Sequence, residues 1–180
     1  MLADVRHKVF ISYHQDDQKE VEKFIETFDT KRDIFIARAV GCSMEDDIIK
    51  STDADYVMRR IRQLYLKNST VTIVLIGKCT WAQRYVDWEI QASLRHGTTV
   101  TPNGLLGIKL KSYDGEGYPR RLNQNLKNPE EQKEVYARAY GYPSADNLKA
   151  YIEDAFQART KRAHLIVNPR DRFGYNRSCT

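Results

Sequence analysis

The stretch Val71-Thr72-Ile73-Val74-Leu75-Ile76 decides the fold class of this chain. It is apolar almost throughout and rich in β-branched residues, a composition typical of a strand that is buried on both faces. Strands of this kind occur in parallel sheets, which carry helices on both sides. We therefore predict that Thr70 to Gly77 contains the central strand of a parallel sheet.

Further strands and helices alternate with this strand along the sequence. Short apolar runs predict three more strands, at residues 8–13, 34–40 and 105–110. Apolar residues at helical spacing predict four helices. The first follows Asp16–Asp17, the second spans 56–67, the third spans 84–96, and Ser144 caps the last. The polar segment 113–143 is predicted to hold one short helix, at 129–138. The alternation predicts an α/β fold, a mostly parallel sheet with helices on both faces.

Length and composition are those of an ordinary globular protein. The 180 residues include 41% apolar and 29% charged residues, and the net charge is +5. We predict a single domain over residues 1–166, followed by a basic, solvated tail over 167–180. No apolar run approaches the ~20 residues of a membrane span, and the polar N-terminus does not resemble a secretory signal. These features predict a cytoplasmic protein without a membrane partner.

The three cysteines and the absent motifs limit the chemistry. Cys42, Cys79 and Cys179 are odd in number and widely spaced, which argues against a disulfide framework or a zinc site and fits a reducing cytoplasm. The sequence contains no glycine-rich dinucleotide fingerprint, P-loop, HExxH, paired CxxC or GxSxG motif. We therefore predict neither a bound cofactor nor a metal.

The stretch Tyr85-Val86-Asp87-Trp88-Glu89-Ile90 follows the central strand and holds the best catalytic candidate. Ligands of open α/β sheets bind outside the carboxyl ends of the strands, where a carboxylate can act on them. Glu89 is the candidate carboxylate, although a solvated helix acid favoured by the helix dipole is the common alternative. We interpret Asp87 as such a solvated acid.

Two motifs resemble a known family. Lys8-Val9-Phe10-Ile11-Ser12-Tyr13, followed by Asp16-Asp17, resembles the opening strand of a TIR domain, and 85–90 resembles the third-helix motif of that superfamily. The pair is most similar to the ThsB-like TIR proteins of bacterial Thoeris antiphage defence, over roughly the first two thirds of the chain. The resemblance implies a flavodoxin-like sheet and an enzyme that cleaves NAD at the nicotinamide–ribose bond. It also implies a cyclic ADP-ribose-type product, which would signal to a nucleotide-sensing effector.

The resemblance also implies roles for particular residues. Glu89 would be catalytic and would stabilise an oxocarbenium-like ribose, with NAD as the substrate rather than a cofactor. Tyr85 stands where many enzymatic TIR domains carry Trp, and it could stack on the substrate. Trp88 could line the pocket or pack against a neighbouring element. The substrate-binding positions expected from the resemblance are Ser12, Tyr13, His14, Cys42, Ser43, Tyr85 and Trp88.

Two other functions and several partners stay open. The chain could be a non-catalytic TIR-like module that signals by self-assembly, or an N-glycosidic enzyme similar to nucleoside deoxyribosyltransferases. The modest positive charge could attract nucleotides but does not predict a nucleic-acid partner. The acidic segment 41–55 and the arginine-rich C-terminal stretch would suit head-to-tail contacts in a homo-oligomer.

Overall fold

The computed structural model describes residues 5–38, 53–127 and 134–180. Within these ranges five parallel strands form one sheet in the order β2-β1-β3-β4-β5. The strands are β1 (His7–Ser12), β2 (Phe35–Arg38), β3 (Val71–Ile76), β4 (Gly104–Lys109) and β5 (Arg138–Tyr140). The predicted flavodoxin-like α/β fold is confirmed.

Strand β3 is the centre of the sheet, as its composition predicted. All six of its residues are buried, and Ile73 pairs with Ile11 of β1 on one side and with Leu106 of β4 on the other. Ile73 packs into the apolar cluster on one face of the sheet, whereas Val74 packs into a cluster on the opposite face. The run is continuously apolar because both faces of β3 are covered.

Helices cover both faces of the sheet. Val21 and Ile152 show that the first and last helices pack on one face, and Val57 and Val86 place two others on the opposite face. The helices are α1 (Gln18–Ile25), α2 (Ala54–Ile61), α3 (Arg84–Ser93), α4 (Arg120–Asn125) and α5 (Ala145–Lys161). Two of them continue in π-helical turns, α1 through Glu26–Thr30 and α2 through Arg62–Leu66. Ser144 caps α5 as predicted, by accepting a hydrogen bond from the Asn147 amide.

The segment between β4 and α5 differs from its prediction. The short helix predicted at 129–138 is wrong over its described residues, 134–138, which lead instead into the edge strand β5. Arg138 of β5 pairs with Leu106 of β4, and the ring of Tyr140 stacks on Tyr151 of α5 at 3.5 Å. A strand of three residues is too short to show an alternating pattern, so tertiary contacts decide it.

The C-terminal residues lie against α3 on one side and are exposed on the other. Residues 167–179, called the C-terminal strap below, run along the outer side of α3. The side-chain amide of Asn168 donates to the Gln91 carbonyl at 3.1 Å, and the Arg177 amide donates to the Ala82 carbonyl at 2.8 Å. The indole Nε1 of Trp88 donates to the Phe173 carbonyl at 3.0 Å. The predicted solvated tail is therefore wrong for the residues that make these contacts, whereas Tyr175 is 76% exposed.

A disulfide closes the strap. Cys79, on the loop between β3 and α3, is bonded to Cys179, with the Cα atoms 5.7 Å apart and 100 residues of sequence separation. The prediction of no disulfide is wrong, because the spacing of cysteines along a chain does not reveal that its end returns to the start of α3. Cys42 lies outside the described residues.

A buried ion pair between α3 and α4 holds the strap in place. Asp87 and Arg121 are each only 2% exposed, and Arg121 Nε lies 3.1 Å from Asp87 Oδ1. Arg121 also donates to the carbonyls of Pro169 and Asp171, at 2.8 and 2.7 Å. Asp87 is therefore not the solvated helix acid that its sequence position suggested. Its carboxylate joins α3 to α4, and through Arg121 both helices hold the strap.

We predict that Arg121→Met destabilises the protein strongly. The change leaves the Asp87 carboxylate buried without its cation, and breaking a buried pair in this way costs about 3–5 kcal/mol. Arg120→Met is the matched control, since Arg120 pairs with Asp171 at 2.6 Å where both side chains are largely exposed. Urea unfolding should show a large loss for Arg121→Met and little change for Arg120→Met. Equal losses would contradict a structural role for the buried pair.

Candidate active site

The two sequence motifs meet at the carboxyl edge of the sheet. β1 and β3 are neighbours in the sheet, and the chain continues from β1 toward β2 but from β3 toward β4. The two connections therefore diverge at this edge, which is the usual ligand position in open α/β folds. Ser12, the last residue of β1, is fully buried, and its Oγ donates to Glu89 Oε2 at 2.5 Å. Residues 77 positions apart in sequence thus share one hydrogen bond.

The packing of α3 aims Glu89 at β1. Val86 and Ile90 pack with β3 and β4, whereas Tyr85 and Ala92 pack with α2 and Phe10 of β1. At about 100° per residue, Glu89 falls between these two sets on the helix surface. The two apolar clusters therefore fix the rotation of α3, and that rotation brings the carboxylate to the end of β1.

The environment of Glu89 makes its carboxyl group a weak acid. The residue is half-buried, and its carboxyl group lies in a densely packed part of the protein. Burial raises the pKa of Glu89 from the ordinary 4.5 to about 8, and the hydrogen bond from Ser12 acts in the opposite direction. A nearby cation would lower the pKa and favour the ionised form. An enclosed acid with a raised pKa at a ligand-binding edge is a typical functional-site feature.

Tyr13 and His14 follow Ser12 on the loop that leads to α1. The Tyr13 hydroxyl donates to Gln18 Oε1 at 2.5 Å, and His14 Nδ1 accepts from the Asp16 amide at 3.2 Å. Both side chains are half-buried and shape the turn before α1. They directly follow Ser12 along the chain, and their substrate-binding roles stay predictions.

The two aromatic residues of the α3 motif are packed inside the protein. Tyr85 is 6% exposed and meets Trp88 edge to face at 5.7 Å between ring centroids. The Arg84 guanidinium lies over the Tyr85 ring at 4.7 Å. Trp88 faces the strap, as its bond to Phe173 shows. A substrate could stack on Tyr85 only if the ring left this position. The other two predicted binding residues, Cys42 and Ser43, lie outside the described residues.

Asp17 also lies at the carboxyl edge of the sheet, where its side chain makes contacts that the sequence did not predict. Ser112, after β4, donates to Asp17 Oδ1 at 3.0 Å, and Thr80, after β3, lies 3.5 Å from Asp17 Oδ2. A Cβ at Gly77 would lie 2.2 Å from the same carboxylate, so a larger residue there would displace the Asp17 side chain. Burial raises the pKa of Asp17, partly offset by the Ser112 hydrogen bond. Its carboxylate joins three loops around the candidate site instead of capping α1.

Within 5–38, 53–127 and 134–180, no cluster of three or more His, Cys, Asp or Glu residues is arranged to hold a metal ion. No helix of the same ranges combines the length and the apolar character that a bilayer crossing requires.

Comparison with known proteins agrees with this geometry. The sequence model described as "Thoeris protein ThsB, TIR-like domain" matches residues 10–114, which include Ser12 and Glu89. A curated protein of Bacillus cereus (strain MSX-D12), named "Putative cyclic ADP-D-ribose synthase ThsB1", is 30% identical over 108 residues, or 59% of this chain and 53% of that protein. The chain thus spans about half the length of this curated relative. Because the family match covers more than half of the chain, this protein belongs to the ThsB family of TIR-like domains.

Proposed function

We propose that this protein is an enzyme that cleaves the nicotinamide–ribose bond of NAD and releases a cyclic ADP-ribose-type signal nucleotide. The proposal rests on the position of the Glu89 carboxyl group, which is buried at the carboxyl edge of the sheet and accepts a hydrogen bond from Ser12. The name of the Bacillus cereus relative supports the same chemistry. Antiphage defence in the cytoplasm, with a nucleotide-sensing effector as the receiver of the product, is the proposed biological role.

The chemistry of NAD suits an enclosed carboxylate. Nicotinamide is already cationic in NAD, so it can leave without a proton from a general acid. The ribose then develops positive charge, which a fixed carboxylate stabilises more strongly away from water. The cationic nicotinamide would itself lower the pKa of Glu89 on binding, so that the bound substrate favours the ionised form. Glu89 would act on the ribose, and Ser12 would hold the carboxylate in place.

The fate of the ribose cation depends on access to water. Attack by water gives ADP-ribose, whereas attack by a group of the same molecule gives a cyclic nucleotide. Exclusion of water from the site favours the second outcome. The raised pKa that burial gives Glu89 is the feature of the chain that supports exclusion of water from the reacting ribose.

Direct assay tests the proposal. The purified protein is incubated with NAD and, separately, with deoxynucleosides, and chromatography measures released bases and nucleotide products. We expect nicotinamide and a cyclic nucleotide from NAD, and no base from deoxynucleosides. Base release from deoxynucleosides alone would favour an enzyme similar to nucleoside deoxyribosyltransferases. Product formation that rises with protein concentration would support the homo-oligomer proposed from the charge distribution.

We predict that Glu89→Gln lowers NAD turnover by about a hundredfold or more. The change keeps the shape and the acceptor for Ser12 but removes the negative charge that stabilises the ribose cation. Glu26→Gln, on an exposed acid after α1, is the matched control and should leave turnover unchanged. Near-normal turnover by a folded Glu89→Gln protein would rule out the catalytic assignment.

We also predict that Glu89→Gln changes the pH dependence of stability. A carboxyl whose folded pKa is raised to about 8 contributes stability below the unfolded value of 4.5 and loses it as pH rises through the folded value. The Tm of the Gln variant relative to wild type should therefore increase from pH 5 to about pH 8 and level off above it. A Tm difference that is independent of pH would mean that Glu89 is not enclosed as described.

We predict that kcat/KM for NAD rises with pH and levels off above about 8, where Glu89 is ionised in the free enzyme. The hydrogen bond from Ser12 favours the ionised carboxylate, so its loss in Ser12→Ala should raise the pKa of Glu89 and move this inflection to higher pH. Ser112→Ala is the control, since Ser112 donates to Asp17 and should leave the inflection in place. An unshifted profile in Ser12→Ala would show that this bond does not tune Glu89.

A further inference from the structure

A basic cavity lies at the amino edge of the sheet, away from the Ser12–Glu89 contact. It is formed where α2 ends in its π-helical turn and where the chain leaves α3, and both points lead back to the starts of strands. The cavity volume is about 730 Å³, which is in the range of small-molecule sites. Five cationic residues line it, namely Arg59, Arg60, Arg62, Lys67 and Arg95. They are called the basic pocket below.

The cations of the basic pocket lack acidic partners in the described part of the chain. No carboxylate lines the cavity there, and none forms an ion pair with any of the five residues. The nearby Asp55 pairs instead with Arg172, at 3.3 Å. Other arginines of the protein, such as Arg6, Arg121 and Arg162, each have a carboxylate partner. Among the described residues the pocket is therefore a concentration of positive charge, which Asp55 offsets only in part, at Arg62.

This arrangement is costly in the free protein. Burial lowers the pKa of Arg62, and the charges of Arg95, Arg59 and Arg172 lower it further. Helix dipoles attract cations to C-terminal turns, but the effect is limited to the last turn and does not require cations from two helices to face one cavity. A multivalent anion would replace this repulsion with attraction.

We propose that the basic pocket binds a nucleoside polyphosphate, with the phosphates held by the five cations and the base against Leu64. Guanidinium groups match phosphate oxygens with two parallel hydrogen bonds, and four of the five cations are arginines. Leu64 also lines the cavity and is 47% exposed, which provides an apolar surface next to the charges. The site is separate from the proposed NAD site, which lies at the opposite edge of the sheet.

Isothermal titration calorimetry of the full chain with ATP tests the proposal. We expect one ATP per chain, with affinity reduced at least tenfold in Arg59→Gln/Arg95→Gln. Both residues are exposed, so the fold should survive, and circular dichroism verifies this. Lys23→Gln/Arg32→Gln removes the same charge from exposed positions on and after α1, on the other face of the sheet, and should bind ATP normally. Leu64→Ser should weaken ATP but not inorganic tripolyphosphate.

Several outcomes would overturn the proposal. One is the absence of saturable ATP binding. Another is an equal loss of ATP affinity in the two double variants, which would indicate general charge attraction. Loss of ATP binding in Glu89→Gln would place the nucleotide at the candidate active site instead. Displacement of ATP by single-stranded oligonucleotides, with affinity that rises with their length, would show a nucleic-acid surface rather than a small-molecule site.

Discussion

The buried ion pair between Asp87 and Arg121 is the interaction on which the arrangement of α3 depends. Arg121 lies on α4, Asp87 lies on α3, and the remaining donors of Arg121 hold the carbonyls of the strap. The ion pair and the strap contact one side of α3, and the sheet packs against the other side. A helix held on both sides cannot rotate, so Glu89 stays directed at Ser12. The geometry of the candidate site is thus secured partly by residues that contact no part of it.

The two edges of the sheet differ in their electrostatics. At the carboxyl edge, burial raises the pKa values of Glu89 and Asp17, and hydroxyl groups rather than cations are their principal partners. At the amino edge, the basic pocket gathers cations without acids among the described residues. The first arrangement suits a ligand that carries positive charge at the reacting atom, as NAD does. The second suits an anion, so the opposite polarities would keep two nucleotide ligands in different places.

Glu89 also illustrates a conflict between stability and the proposed function. An enclosed carboxyl group is most compatible with the fold when it is neutral, whereas stabilisation of a ribose cation requires the charge. The Ser12 hydroxyl reduces the conflict by favouring the ionised form, but burial remains the larger effect. Natural active sites commonly retain such unfavourable groups, because the substrate supplies the missing interaction.

Residue patterns along the sequence were enough to predict four of the five described strands and the candidate catalytic acid, Glu89. Continuous apolar runs such as Val71–Ile76 report burial on both faces, and the motifs around Ser12 and Glu89 lie at strand and helix positions that local patterns reveal. The folded chain was needed to reveal β5, the strap, the disulfide between Cys79 and Cys179, and the burial of Asp87 and Tyr85. These features depend on segments far apart in the chain, and their local residue patterns are too short or too polar to indicate a partner. Local periodicity reports which side of an element is buried, whereas the identity of the group that buries it is set by the long-range path of the chain.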